Sequence, residues 1–248
     1  MTSYHVLVIG GTVALWFAGI SVSAHPAFPA RPALSSVPTP PAVPASPALV
    51  APQAQHPKAR LFPPLDLGLL EAPDREQWQK PDQIMDALKI AEGSVVADIG
   101  AAGGWFTIRL ARRVGPNGRV YAEDIQPQMV DVIYRRVQRE NLDNVLTVLG
   151  RPDDPRLPSD IDAALVVETF HEMEDPVALL KNLARSLKPQ GRIGIVEFNP
   201  GEGGPGPPPD ERVDPQSVIQ AAARAGLQLA KTESVPPFQF LLVFEKGS

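Results

Sequence analysis

The stretch VVADIGAAGGWF, residues 95–106, decides the fold. Its first residues form a short apolar run that is typical of a buried parallel strand, and the glycines that follow let the backbone turn tightly before a helix begins. Ligand atoms can approach the main chain and the helix N-terminus at such a turn. A glycine-rich turn alone also occurs at ordinary strand–helix junctions, so other residues must decide what it does.

Strand-like and helix-like runs alternate on either side of this turn. The predicted strands cover residues 94–99, 119–122, 145–149, 161–167 and 192–198, and the predicted helices cover 81–88, 105–114, 127–140 and 176–187. This alternation predicts an α/β fold, a doubly wound and mostly parallel sheet with helices on both faces. A helix over 215–225 and two β-prone runs, 227–234 and 238–246, predict a closing antiparallel hairpin and seven strands in total.

Acidic residues near the turn narrow the choice of ligand. Asp98 stands two residues before Gly100, where it would repel a pyrophosphate and attract a ligand that carries an ammonium and a sulfonium group. A carboxylate at the end of the second strand, at Glu123 or Asp124, can bind both ribose hydroxyls and disfavours a 2′-phosphate. The pattern therefore predicts S-adenosylmethionine. An NAD-dependent oxidoreductase is an alternative that Asp98 and the lack of a spaced GxGxxG argue against.

These residues resemble the class I S-adenosylmethionine-dependent methyltransferases, especially the small-molecule branch that includes the ubiquinone and menaquinone biosynthesis enzymes. The family pattern acid-x-Gly-x-Gly-x-Gly reads DIGAAGG at residues 98–104, and further matches are DAALVVETFHEMEDP at 162–176 and LKPQGRIGIVEF at 187–198. The resemblance extends from residue 78 to residue 246. It implies a Rossmann-like methyltransferase fold and methyl transfer to a small-molecule acceptor that is lipid-like or quinone-like.

The resemblance also implies a set of cofactor-binding positions. Asp124 matches the second-strand acid of the family, with Glu123 as its alternative, and the acid on the adenine side is Asp153 or Asp154. The full set is Asp98, Gly100, Ala102, Gly104, Trp105, Asp124, Ile125, Asp153, Asp154 and Glu168. Ala102 replaces the middle glycine of the pattern, at a cost on the order of 1 kcal/mol if the position needs a positive φ. A degenerate, non-catalytic module that binds S-adenosylmethionine is therefore another alternative.

The segment ETFHEME, residues 168–174, follows the fourth strand and carries the catalytic candidates. Ligands bind at the carboxyl ends of the strands in this fold, and a base is needed only where the acceptor loses a proton. His171 is the only histidine after position 56, so we predict that His171 and Glu168 are catalytic. The alternative for His171 is a helix-capping or solvent-facing histidine. Trp78 and the flexible Pro/Gly-rich loop 200–209 are candidate covers for cofactor and acceptor.

The first 72 residues have a different composition from the predicted domain, residues 73–248. Residues 6–24 form nineteen positions without a charge, so that residues 1–24 resemble either a signal peptide or a membrane anchor. Residues 25–72 are rich in proline and alanine and predict a disordered linker. We therefore expect a membrane-anchored protein or a secreted, periplasmic one, with the side of the membrane left open.

Composition excludes several other classes of protein. The 248 residues include no cysteine and only four histidines, so that disulfide frameworks, thiolate zinc sites and multi-histidine metal sites are excluded, and we expect no metal. The net charge is −5, although the first 64 residues contain no acid. The acidic charge therefore lies in the predicted domain, and nucleic acid is not an expected partner.

Overall fold

Seven strands form a single sheet in the order β3-β2-β1-β4-β5-β7-β6. The computed structural model describes residues 61–201, 203–234 and 238–247. Strands β1 to β5 run parallel to one another, whereas β7 runs antiparallel to both β5 and β6. This confirms the doubly wound, mostly parallel sheet with a C-terminal hairpin. The strands are β1 (Val95–Ile99), β2 (Arg119–Asp124), β3 (Val145–Leu149), β4 (Ile161–Val167), β5 (Leu187–Phe198), β6 (Leu227–Glu233) and β7 (Gln239–Lys246).

Helices cover both faces of the sheet and bury a separate apolar core on each side. Helices α2, α3 and α4 contribute to one core and α5 and α6 to the other. Because side chains alternate along a strand, Val96 of β1 enters the first core and its neighbour Ala97 the second. The helices are α1 (Arg75–Gln79), α2 (Pro81–Ala87), α3 (Trp105–Val114), α4 (Pro127–Arg139), α5 (Pro176–Ser186) and α6 (Pro215–Arg224), with short 3-10 helices at Pro64–Glu71, Phe170–Glu172 and Pro209–Glu211.

The strand order indicates where on the sheet a ligand would bind. The chain leaves β1 toward β2 and β3 on one side and then returns to β4 on the other side of β1. In open parallel sheets ligands bind at this reversal, outside the carboxyl ends of the strands. The segment 99–105 after β1 and the segment 168–174 after β4 therefore face the same crevice.

Two local predictions differ from the structure. Strand β5 begins at Leu187, because Leu187 already pairs with Ile161 before the register shifts at Ala163. Residues 188–191, which lie between the predicted helix and the predicted strand, are thus part of the strand. The predicted linker ends too late, since residues 64–71 form a 3-10 helix and Leu61, Phe62 and Leu67 line the cavity described below. The proline-rich composition does not reveal that the apolar side chains of these three residues line a cavity.

The predicted signal or anchor segment lies outside the described residues, as does the linker up to residue 60. Within residues 61–201, 203–234 and 238–247, none of the helices combines the length and apolar character that crossing a bilayer requires.

Substitution of Gly118 tests the tight turn that joins α3 to β2. A Cβ atom at Gly118 would lie 2.5 Å from Cβ of Val114 and 2.7 Å from the main-chain oxygen of Ser94. We expect Gly118→Ala to lower the free energy of unfolding by about 1–3 kcal/mol, since main-chain atoms cannot easily move aside. Urea denaturation measures the change. The matched control is Gly68→Ala, where no atom of the described residues lies within 4 Å of the added Cβ. Equal stability of the two variants would contradict the prediction.

Candidate active site

A cavity, here called the cofactor cavity, opens at the carboxyl ends of β1, β2 and β4. Its wall combines the glycine-rich turn after β1, the ends of β1 and β2 and the loop after β4. Among the described residues its lining includes seven carboxylates and only two guanidinium groups: Glu71, Asp98, Glu123, Asp124, Glu168, Glu172 and Glu174, against Arg75 and Arg151. The cavity is therefore electrostatically suited to a cationic ligand.

The turn after β1 has the left-handed conformations that its glycines permit. Gly100 has φ 65°, and a Cβ atom there would lie 2.3 Å from the side chain of Thr169. Ala102 has φ 47°, so this position does take a conformation that favours glycine, and its N–H donates to Oδ2 of Asp124 at 3.0 Å. Gly100 and Ala102 line the cavity, whereas Gly104 is the N-cap of α3 and faces Ile133; Gly103 takes its place in the wall.

Asp98 lies at the floor of the cavity and is only 3% exposed. Its Oδ2 accepts a hydrogen bond of 2.6 Å from the hydroxyl of Thr107 in α3. Burial raises the pKa of Asp98 to about 6, although the Thr107 hydroxyl and the Arg75 guanidinium oppose the rise. A cation bound nearby would favour the charged form of Asp98 and would itself be stabilised.

Asp124 ends β2 and accepts two main-chain hydrogen bonds. Oδ1 accepts from the N–H of Gln126 at 2.8 Å, and Oδ2 accepts from Ala102. Burial raises the pKa of Asp124, while these N–H groups oppose the rise. Because both oxygens are held, the carboxylate has a fixed orientation at the cavity wall. The next residue, Ile125, also lines the cavity.

Glu123 is a second buried acid of this wall. It is 1% exposed, Oε2 lies 3.4 Å from the N–H of Gly100, and Oε1 has no hydrogen-bond partner among the described residues. Burial raises the pKa of Glu123 to about 8, and the negative charge of Asp124 adds to the rise. Gly150 leaves the space for it, since a Cβ atom there would lie 1.7 Å from Oε1. That glycine directly after β3 was a sequence signal that we did not use.

Glu168 lies directly after β4 and lines the cavity. It has φ 53°, and its N–H donates to the carbonyl oxygen of Val196 at 2.8 Å. Its Oε1 accepts from Nε2 of Gln239 at 2.7 Å and lies 3.5 Å from Nη2 of Arg75. The carboxylate is thus held in place by side chains from β7 and α1.

His171 does not line the cavity, which corrects its predicted contact with the acceptor. Its Nδ1 lies 3.0 Å from Oε2 of the buried Glu197, and its Nε2 lies 3.9 Å from Oε1 of Glu172. Burial alone lowers the pKa of His171, but the hydrogen bond to Glu197 and the charges of Glu197, Glu172 and Glu168 raise it overall. The next residue, Glu172, does line the cavity, and burial raises its pKa to about 7.

The predicted adenine-side acids are also displaced from the wall. A bridge between Arg151 and Asp154 reverses the chain after β3, so that Asp153 is exposed and Oδ1 of Asp154 accepts from the N–H of Arg156 at 2.8 Å. Neither Asp153 nor Asp154 lines the cavity; Arg151 and Pro152 do. The sequence placed the acids in the correct loop but could not show which side of it faces the ligand.

Residues 61–71 cover the cavity and are held at several points. The main chain of Phe62 spans its mouth: the N–H lies 3.4 Å from Oε2 of Glu172, and the carbonyl oxygen accepts from Nε2 of Gln126 at 3.1 Å. Glu71 pairs with Arg136, which also donates to the carbonyl oxygen of Gly103 at 2.9 Å. Sequence reasoning missed this cover because the segment lacks a helical or strand-like period.

Arg75 is a further cavity residue that the sequence analysis did not predict. It is 6% exposed, it lines the cavity, and its guanidinium lies 4.6 Å from the ring centre of Trp105, which also lines the cavity. Arg109 stacks on the same ring at 3.4 Å. These contacts leave Arg75 as a buried cation among carboxylates, in a position to bind an anionic group of a ligand.

Comparison with known proteins agrees with this arrangement. A family described as a methyltransferase domain matches residues 96–191. The chain is 29% identical over 133 residues to a demethylmenaquinone methyltransferase of Lactobacillus johnsonii (52% of this chain, 53% of that protein) and 31% identical over 123 residues to a ubiquinone/menaquinone biosynthesis C-methyltransferase of Pasteurella multocida (46% and 44%). The structure resembles the crystal structure of an S-adenosylmethionine-dependent methyltransferase from Aquifex aeolicus, with a TM-score of 0.71 and 28% identity over 74% of this chain and 98% of that one.

The chain therefore contains a methyltransferase domain with the fold of the class I S-adenosylmethionine-dependent methyltransferases. The chain spans about half the length of the curated relatives it matches. The family implies S-adenosylmethionine as cofactor, and the residues of the methyltransferase domain fit it. The carboxylates of the wall suit its sulfonium and ammonium groups, Asp124 suits the ribose hydroxyls, and Arg75 suits the carboxylate of the methionine part.

The buried acids predict how the stability of the ligand-free methyltransferase domain depends on pH. Glu123 has an ordinary pKa of 4.5 when unfolded and about 8 when folded, so its protonated form favours the folded state. We expect the free energy of unfolding to fall as the pH rises from 4.5 to 8, because over this range the folded state holds a proton that the unfolded state has released. Asp98 and Glu172 act in the same direction.

Urea denaturation across this pH range, without ligand, measures the effect. Glu123→Gln should reduce the pH dependence, and the control Glu92→Gln, at an exposed position outside the cavity, should leave it unchanged. A free energy of unfolding that stays constant or rises toward pH 8 would show that Glu123 titrates normally.

Proposed function

We propose that this protein transfers a methyl group from S-adenosylmethionine to a small-molecule acceptor of quinone-like chemistry. The observation that carries the proposal is the pair of buried carboxylates, Asp98 and Asp124, at the ends of neighbouring parallel strands in an acidic cavity. The negative charge of Asp98 would repel the pyrophosphate of a dinucleotide, whereas it attracts the sulfonium group of S-adenosylmethionine.

The residues of the domain position reactants and exclude water. Bound S-adenosylmethionine would supply a methyl group on a positively charged sulfur. An acceptor atom attacks the methyl carbon in line, and the sulfur is the leaving group. Asp124 and Arg75 orient the two ends of the cofactor, and the cover formed by residues 61–71 closes the cavity. Such positioning and exclusion of water supply several kcal/mol toward the barrier.

Glu168 is our proposed catalytic residue for an acceptor that loses a proton. Its carboxylate lines the cavity and is held by Gln239 and Arg75, so its position relative to the reactants is defined. His171 is proposed as a positioning residue instead, because its ring lies between Glu197 and Glu172 behind the wall. The quinone-like acceptor is supported by the names of two relatives, whose identity to this chain is 29% and 31%.

The non-catalytic alternative was suggested by Ala102. The turn tolerates this alanine, since Ala102 adopts φ 47° and its N–H still holds Asp124. The feature that favoured a degenerate module therefore leaves the position of the ribose-binding acid intact.

We also propose that residues 6–24, which lie outside the described part of the chain, attach the protein to a membrane. The uncharged run of nineteen residues supports this proposal. Cell fractionation should recover the full chain with membranes, and a variant that lacks residues 6–24 should be recovered in the soluble fraction. Recovery of the full chain in the soluble fraction would refute the attachment.

Titration calorimetry on the full chain tests the proposed function. S-adenosylmethionine should bind and NAD should not. Asp124→Asn should weaken S-adenosylmethionine binding about tenfold to a hundredfold, because hydrogen bonds to a charged group are lost. The control is Asp131→Asn, at an exposed position of α4 outside the cavity.

Formation of S-adenosylhomocysteine with 1,4-dihydroxynaphthalene as acceptor tests catalysis. Equal affinity of Asp124→Asn and the unaltered chain, or no binding of S-adenosylmethionine, would overturn the proposal. Binding without turnover of any hydroquinone would favour the non-catalytic module.

A further inference from the structure

A second cavity adjoins the cofactor cavity. The two share Leu70, Arg75 and Glu168 in their walls. A molecule in the second cavity would therefore meet the contents of the first at a charged junction formed by Arg75 and Glu168. We call it the aromatic cavity, because Trp78, Phe198 and Phe238 line it.

Three aromatic rings from separate parts of the chain form the walls. Trp78 in α1 lies 6.0 Å from the ring centre of Phe198, at the end of β5, with an angle of 42° between the planes. Phe238, directly before β7, lies 6.3 Å from Trp78 at 73°. Aromatic faces and edges pair favourably with other planar rings, so these walls favour a planar aromatic occupant.

The Pro/Gly-rich loop after β5 contributes to the wall of the cavity, and one arginine binds its carbonyl groups. Arg212 donates hydrogen bonds of 3.0–3.3 Å to five carbonyl oxygens of this loop: those of Asn199, Gly201, Gly203, Pro205 and Pro207. All five guanidinium N–H donors of an arginine are thereby accounted for. The hydrogen bonds from this guanidinium to the carbonyl groups therefore determine the shape of the loop.

Two glycines let this loop lie against the aromatic rings. A Cβ atom at Gly206 would lie 2.5 Å from the ring of Phe198, and one at Gly204 would lie 2.7 Å from the ring of Phe238. Both residues have positive φ, 97° and 77°. Loop and rings are therefore fitted to each other, and Pro205 and Gly206 complete the wall.

Three hydrogen bonds and one ion pair form a ring that fixes the charged junction. Arg75 Nε donates to Oε1 of Gln79 at 2.8 Å, and Gln79 Nε2 donates to Oε1 of Gln239 at 2.6 Å. Gln239 Nε2 donates to Oε1 of Glu168 at 2.7 Å, and Arg75 Nη2 lies 3.5 Å from the same oxygen. Since Gln79 and Gln239 are at most 2% exposed, Glu168 is presented to both cavities from a rigid support.

We propose that the aromatic cavity is the acceptor site and that it binds a planar aromatic molecule whose hydrogen-bond-donating group points toward Glu168. This inference rests on the proposed function and adds the location of the acceptor and the chemistry that selects it. Trp78, Phe198 and Phe238 select the ring, Glu168 selects the polar group, and Arg212 is a positioning residue that holds the loop in place.

Binding of 1-naphthol to the full chain tests the proposal. Calorimetric titrations are run without a second ligand and then with saturating S-adenosylhomocysteine, which fills the cofactor cavity. 1-Naphthol should bind in both conditions. 1-Methoxynaphthalene, which lacks the donor, and decahydro-1-naphthol, which is not planar, should bind more weakly.

Substitutions identify the cavity. Trp78→Leu should weaken 1-naphthol binding about threefold to tenfold, as expected for the loss of an aromatic pair, while S-adenosylhomocysteine binds as before. The matched control is Tyr134→Leu, which removes an exposed ring of α4 that is 56% exposed. Arg212→Lys should also weaken 1-naphthol binding and spare S-adenosylhomocysteine, since lysine cannot supply five donors. Thermal unfolding of each variant shows that it is folded.

Two outcomes would overturn the proposal. One is displacement of 1-naphthol by S-adenosylhomocysteine, and the other is equal affinity for 1-naphthol of the unaltered chain, Trp78→Leu and Phe238→Leu. Failure of S-adenosylhomocysteine to bind would instead refute the proposed function, and binding of 1-naphthol to the ligand-free chain would still report on the aromatic cavity.

Discussion

The burial of three carboxylates at the ends of two neighbouring strands is the constraint on which the rest of the site depends. Strands β1 and β2 are parallel and in register, with Ile99 opposite Glu123, so that Asp98, Glu123 and Asp124 meet at one edge of the sheet. Burying negative charge is unfavourable, and the main chain offsets part of this cost through the N–H groups of Gly100, Ala102 and Gln126. The glycine-rich turn is thus shaped around carboxylates before any ligand arrives.

The same constraint explains why the cavity needs a cover and a cation. Residues 61–71 and α1 carry Arg75 to the acids and exclude solvent from them. A low local dielectric strengthens every interaction of these charges, those with a bound sulfonium included. Burial raises the pKa of Asp98 and of Glu123, and a cationic cofactor bound beside them would favour their charged forms.

The ring of Arg75, Gln79, Gln239 and Glu168 connects the two cavities mechanically. It joins α1, β7 and the loop after β4, which are far apart in the sequence. Arg75 faces the cofactor cavity and the aromatic cavity at once, as does Glu168. In our proposal this ring keeps donor and acceptor sites in a constant relation, which in-line methyl transfer requires.

The sequence by itself determined the sheet, the turn after β1 and the acids Asp98 and Asp124, because these depend on local periodicity and on residues adjacent along the chain. It did not reveal that residues 61–71 cover the site, that Asp153 and Asp154 face away, or that His171 lies behind Glu172. Only tertiary structure decided these points, since each depends on which side of a loop meets another element. Arg75 and Arg212 show the reason most clearly: a lone arginine has no sequence pattern, and its role arises from carbonyl groups and rings that folding brings to it.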